Sequence, residues 1–97
     1  MTVDYYNSVW DALKDTPEAA LNMRLRAELM RKIADRVNEW GLIQQEAADC
    51  LGITQPRFSD LLNGRINKFS LDASVNLTDP ARLHLELAIE ADKEVAA

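Results

Sequence analysis

Between Gln55 and Lys68 the chain sets out side chains suited to hydrogen bonding with a nucleic acid rather than to bond breaking. The Gln55 carboxamide can pair bidentately with the edge of adenine, and its competing use is a phosphate or solvent contact. Arg57 suits either a guanine edge or the sugar-phosphate backbone, and residue type alone does not choose between them. Ser59 is short and fits a phosphate or an edge contact. Asp60 can accept from cytosine, but beside phosphates its charge serves better to disfavour wrong sequences than to add affinity. Arg65 and Lys68 are cast as phosphate clamps, against the plainer alternative of a solvated loop. Upstream, Gln44 opens a separate segment, where a side-chain amide and a helix N-terminus together can hold a phosphate.

These side chains need a short helix held at a fixed angle by another, and residues 44–61 have the pattern of a helix-turn-helix. Close crossing of the two helices asks for a small side chain, supplied by Ala48. Gly52 stands at the turn, where a left-handed backbone is cheapest without a Cβ. Thr54 caps the second helix, and Gln55 and Pro56 open it. Ala47, Leu51, Ile53, Phe58 and Leu61 form the inward set, which leaves Gln55, Pro56, Ser59 and Asp60 facing outward toward a major groove. An ordinary helical hairpin with a glycine C-cap would explain the glycine but not the joint fit of Ala48, Phe58, Leu61 and the Thr54 cap.

A net charge of −5 on 97 residues argues at first against nucleic acid, but the distribution matters more than the sum. Residues 1–38 balance six acids with six bases, and residues 71–97 carry six acids against two bases. The stretch from Leu61 to Leu71 holds Arg65 and Lys68 with no acid, and with Arg57 makes a local basic edge on an otherwise acidic chain. The length suits one domain with a modest core that oligomerisation would help. With one cysteine, Cys50, there is no intramolecular disulfide, and Cys50 reads as a small packing residue. His84 is the single histidine, so no metal site is expected. There is no apolar run long enough for a signal peptide or a membrane span, which predicts a soluble, cytoplasmic protein. No nucleophile with its base, no metal-ligand cluster and no phosphate-cradling glycine loop is visible, so neither an enzyme nor a cofactor is expected.

The remaining elements complete a mostly α, five-helix domain. Residues 1–15 hold an aromatic segment whose Tyr5, Tyr6, Val9, Trp10 and Leu13 suggest one or two helical turns. Residues 16–78 form the helical core. Thr16 and Pro17 start a long helix in which Leu21, Leu25, Leu29, Ile33 and Val37 recur every fourth residue and which ends near Trp40 and Gly41. Arg24, Arg26, Arg31, Lys32 and Arg36 are placed on its solvated face, paired with Glu28 and Asp35. Gly64 ends the second helix of the pair, and Ser70 caps a short helix with Leu71, Val75 and Leu77 inward. Asp79 and Pro80 break it. In residues 81–97, Leu83 to Glu90 alternate apolar with small or polar residues, the period of a half-buried strand, with a helix from Pro80 as the competing reading. A strand with no partner in its own chain would pair with the same strand of a second copy, which predicts a symmetric dimer.

Ser8 to Leu13, Leu25 to Met30, Gln55 to Gly64 and Phe69 to Asp72 together resemble the Xre-type antitoxins of the HigA kind. The resemblance covers most of the chain and is most specific over the paired helices. It implies a lambda-repressor-like fold and a homodimer that binds double-stranded operator DNA, represses its own operon and neutralises a RelE-like ribonuclease toxin. The alternative is a stand-alone repressor of phage or chromosomal type. Toxin cover would fall to Tyr5, Tyr6 and Trp10 near Asp4 and Asp11, and to Glu86, Glu90, Asp92 and Glu94, the competing reading being that Trp10 and its neighbours cover the core of their own chain. Two positions depart from the family pattern. Ile43 replaces the usual threonine before the first glutamine, which should weaken that N-cap, and Ser74 replaces an apolar residue, which should thin the core.

Overall fold

The computed structural model describes residues 16–92. They form four α-helices, α1 (Pro17–Glu39), α2 (Gln44–Leu51), α3 (Gln55–Leu62) and α4 (Leu71–Leu77), with a 3-10 turn (Ile66–Lys68) between α3 and α4. The fifth expected helix, around Tyr5 to Leu13, lies outside the described residues. The long α1 packs against α3, α4 and the 3-10 turn, and α2 packs against α3.

Each helix start follows from its local sequence. Thr16 Oγ1 accepts from the Ala19 N–H at 3.1 Å with Pro17 at the first helical position. Thr54 Oγ1 accepts from the Arg57 N–H at 3.3 Å, and Ser70 Oγ from the Ala73 N–H at 3.0 Å. Only α2 has no side-chain cap at its N-cap position among these four, because Ile43 has no oxygen to offer. The loss is half repaired: Glu46 Oε1 reaches back to the Ile43 N–H at 3.4 Å, one arm of a capping box. At the turn, Gly52 adopts φ +74°, and its amide and that of Ile53 close on the last carbonyls of α2.

The core gathers Met30, Ile33 and Val37 of α1 with Ala47, Ala48, Leu51, Phe58 and Leu61 of the helix pair, and then Phe69, Leu77 and Ala81. Ala48 is fully buried, as the close crossing requires. Ile53 packs against this cluster while remaining half-buried.

Several expectations are corrected. The every-fourth stripe on α1 is out of phase: Leu21 and Leu25 are 47% and 39% exposed, Leu29 is half-buried, and the buried line is Arg26, Met30, Ile33, Val37. A step of four residues advances about 40° beyond a full turn, so a strict four-residue repeat winds off any single face, whereas mixed steps of four and three stay on it. Arg26, expected on the solvated face, is thereby placed inside. Nor, among the described residues, do its neighbours pair with Glu28 or Asp35; Arg36 lies 3.9 Å from Glu39, and its Nε also donates to the Ala81 carbonyl at 3.2 Å.

On α4 the inward line is Ser74 and Leu77, continued by Thr78 and Ala81, while Val75 faces out and Leu71 is half-buried. An apolar-only count misses it because two of the four are hydroxyl residues. Both are paired: Ser74 Oγ donates to the Ser70 carbonyl at 2.9 Å, and Thr78 Oγ1 to the Val75 carbonyl at 2.6 Å. Ser74 therefore fills its place in the core without an unmet polar group. Cys50 is exposed and does not pack.

No strand forms among the described residues, and residues 83–92 are not helical either. A turn over 78–82 ends in Arg82 at φ +59°, Leu83 still touches the core, and the chain beyond it is exposed. A strand exists only with a partner to complete its ladder, and a single copy offers none.

Candidate nucleic-acid interface

Helix α3 opens on the surface. Thr54, Gln55, Pro56 and Arg57 are exposed, and Ser59 and Asp60 are half-buried one turn further on. Phe58 and Leu61, which alternate with them around the helix, are both buried and hold α3 by its inner face. Gln44 is exposed at the first position of α2, and Arg65 and Lys68 are exposed along the loop after α3.

The candidate side chains divide by what they already bind. Among the described residues, Gln44, Gln55 and Lys68 have side chains that make no intramolecular hydrogen bond or ion pair. They are free to meet an outside partner. Five are engaged, the first being Thr54, whose hydroxyl caps α3. Ser59 Oγ accepts from Asn63 Nδ2 at 3.3 Å. Asp60, with a side chain 18% exposed, accepts from Arg65 Nη1 at 2.9 Å. Arg57 lays its guanidinium 4.4 Å from the centre of the Phe69 ring and donates from Nη1 to the Lys68 carbonyl at 3.1 Å.

The engagement of Arg57 shows how Lys68 is held. The 3-10 turn after Arg65 and Phe69 beyond it present carbonyls to which two arginines donate from different helices. Arg57 of α3 takes that of Lys68. Arg26 of α1, 6% exposed, donates from Nη1 to those of Ile66 and Phe69, each at 3.1 Å. Burial pushes the Arg26 pKa below its usual value, yet a guanidinium starts so high that it stays cationic. Charge-assisted bonds of this kind are the strong ones, so Lys68 projects from a braced loop rather than a loose one.

Arg26 is the functional support that the sequence reading missed. Its signal was its place four residues before Met30, on the same helical face as Ile33 and Val37.

A family profile for a helix-turn-helix domain matches residues 12–90. The chain belongs to that helix-turn-helix family. No curated protein matches it. The match takes in every element of the core and both groups of candidate side chains, and it makes this helix-turn-helix protein a DNA-binding regulator. No helix among the described residues is long and apolar enough to cross a membrane.

Proposed function

We propose that this protein binds operator DNA as a homodimer, represses its own operon and acts as the antitoxin to a RelE-like ribonuclease toxin. It does so as a regulator and not as an enzyme. The observation that carries the DNA half is the exposed, uncommitted Gln55 carboxamide at the opening of α3, flanked by Thr54 and Pro56 and held outward by buried Phe58. In the helix-turn-helix geometry the first residues of the second helix meet base edges in the major groove. Lys68 and Arg65, with Gln44 across the turn, then lie where backbone phosphates would pass, and fix the register without reading sequence. Two reading helices about 34 Å apart are needed to enter successive major grooves, and each chain has one.

The toxin half rests on the resemblance and on charge. A ribonuclease that holds RNA presents a basic surface, and acidic, apolar segments complement it. Glu86, Glu90 and Asp92 are exposed among apolar neighbours on the C-terminal arm. The second group, Asp4, Tyr5, Tyr6, Trp10 and Asp11, lies outside the described residues.

The test is deletion of residues 1–13, followed by two assays. Toxin neutralisation should be lost while operator binding is retained. A truncated protein that still rescues growth against its toxin moves the interface elsewhere. Operator binding with no toxin recovered from the native host makes the protein a stand-alone repressor.

A further inference from the structure

The arm beyond Arg82 leaves three large apolar side chains in the open at alternate positions. Leu85, Leu87 and Ile89 are 49%, 84% and 83% exposed, and they stand two residues apart, in line with half-buried Leu83. Among the described residues no backbone hydrogen bond engages residues 84–91. A segment with apolar residues at every second position and unpaired amides has the pattern of a sheet edge without its sheet. Its polar face, His84, Glu86, Ala88 and Glu90, carries the one side-chain contact seen there, His84 Nε2 to Glu86 Oε1 at 3.1 Å.

We infer that residues 83–91 pair antiparallel with the same residues of a second copy, in the register that sets Leu87 opposite Leu87. The inference rests on the homodimer proposed above and specifies its interface. In a two-fold antiparallel pair, residues directly opposite each other point to the same side. A two-fold axis falling between two residues would set the odd-numbered apolar series opposite the even-numbered residues of the other face, so the axis passes through a residue. Centring on Glu86 opposes it to its own copy, centring on Ala88 opposes Glu86 to Glu90, and centring on Ile89 opposes Glu86 to Asp92. Each of these sets like charges directly across, which is destabilising. Centring on Leu85 would need residues 79–82 as strand, and those belong to the turn, with Arg82 at φ +59° and Ala81 buried.

The register through Leu87 meets none of these objections. Leu85 faces Ile89, Leu83 faces Ala91, Glu86 faces Ala88, and His84 faces Glu90. Just outside the ladder, Arg82 comes opposite Asp92, so the charges at the ends are complementary. One face of the ribbon is then apolar along its length and meets the core at Leu83. Glu86 and Glu90 remain on the opposite, open face.

The test uses full-length Cys50→Ser protein carrying single cysteines at Leu87, Leu85 or Ile89, oxidised mildly, with sedimentation run in parallel on Cys50→Ser alone. Leu87→Cys should give a disulfide-linked dimer at least about tenfold faster than either of the others, because only opposed residues bring Cβ atoms within disulfide reach. Leu85 and its own copy would be four positions apart, roughly 14 Å along the ladder, beyond any disulfide. The Leu85→Cys, Ile89→Cys double variant should crosslink as readily as Leu87→Cys. Faster crosslinking of Leu85→Cys or Ile89→Cys alone overturns the register. A dimer in sedimentation with no crosslink at any position overturns the arm as the interface and leaves the dimeric reading standing, whereas a monomer that still binds an inverted repeat tightly overturns both.

Discussion

The guanidinium carbon of Arg57 stands over the ring of Phe69, 4.4 Å from its centre, while the ring itself is buried. One side chain thus ties the opening turn of α3 to the loop that follows the helix. An arginine at the third position of a reading helix would ordinarily be assigned to a guanine, and here its donors are already turned inward toward the Lys68 carbonyl.

Arg57→Ala should therefore act on DNA through the loop. We expect a stability loss of about 1–2 kcal/mol, from one charge-assisted hydrogen bond and one cation–π contact at an exposed site. The affinity loss should be equal on operator and on random DNA, measured by fluorescence anisotropy. A loss confined to one base pair of the operator would make Arg57 a reader instead.

Gln55→Ala should do the reverse. Binding to the preferred sequence is expected to fall by about 1–3 kcal/mol, with relaxed preference at one position in each half-site and little change in folding. Lys68→Ala should weaken all sequences alike and lower the slope of log affinity against log salt by about 1 per half-site. A binding-site selection with each variant, with titrations at several salt concentrations, separates the two.

Asp60→Asn frees Arg65 from its 2.9 Å partner and removes a negative charge beside the phosphate path. Affinity for random DNA should rise more than affinity for the operator, so the specificity ratio falls, while stability drops by only about 1 kcal/mol or less, as for a partly exposed pair. An unchanged ratio would show that Asp60 serves packing alone.

Arg26→Ala removes a buried cation that satisfies two carbonyls across the core, Ile66 and Phe69. A loss of about 2–4 kcal/mol is expected in urea unfolding. Arg26→Lys should recover only part of it, since a lysine has no planar fork to serve both carbonyls. Full recovery by lysine would reduce the role of Arg26 to charge.

What was legible in the sequence was what local chemistry dictates. Thr16, Thr54 and Ser70 announce helix starts because a hydroxyl there has one good use, and Ala48 with Gly52 mark the crossing and the turn because larger residues do not fit or do not adopt the conformation. The misreadings share a different cause. Arg26 and Ser74 were assigned by type to solvent or to a defect, yet each is buried because carbonyls stand ready to receive it, and those carbonyls belong to residues far along the chain or a full turn back. Leu21 and Leu25 were assigned by repeat to the core, and helical phase carried them off it. The arm after Leu83 has the period of a strand, but a ladder is a property of two segments, and no second segment stands beside it among the described residues. At the candidate interface, residue type nominates donors and acceptors for DNA. It had no means of showing that Arg57, Ser59, Asp60 and Arg65 are spoken for by neighbours while Gln44, Gln55 and Lys68 are not.

Arg82 is the one residue other than glycine with a positive φ among those described, and hydrogen bonds on either side of it, Arg82 N–H to Asp79 and Leu83 N–H to Thr78, close the turn from which the arm departs. That turn lies far from α3 in the chain. With two copies joined through their arms, the gap between half-sites is governed at residues 78–83 and the letters within each half-site at residue 55. The two properties of an operator, its wording and its spacing, can then drift independently. A regulator built this way can acquire a new target by changing either one without disturbing the other.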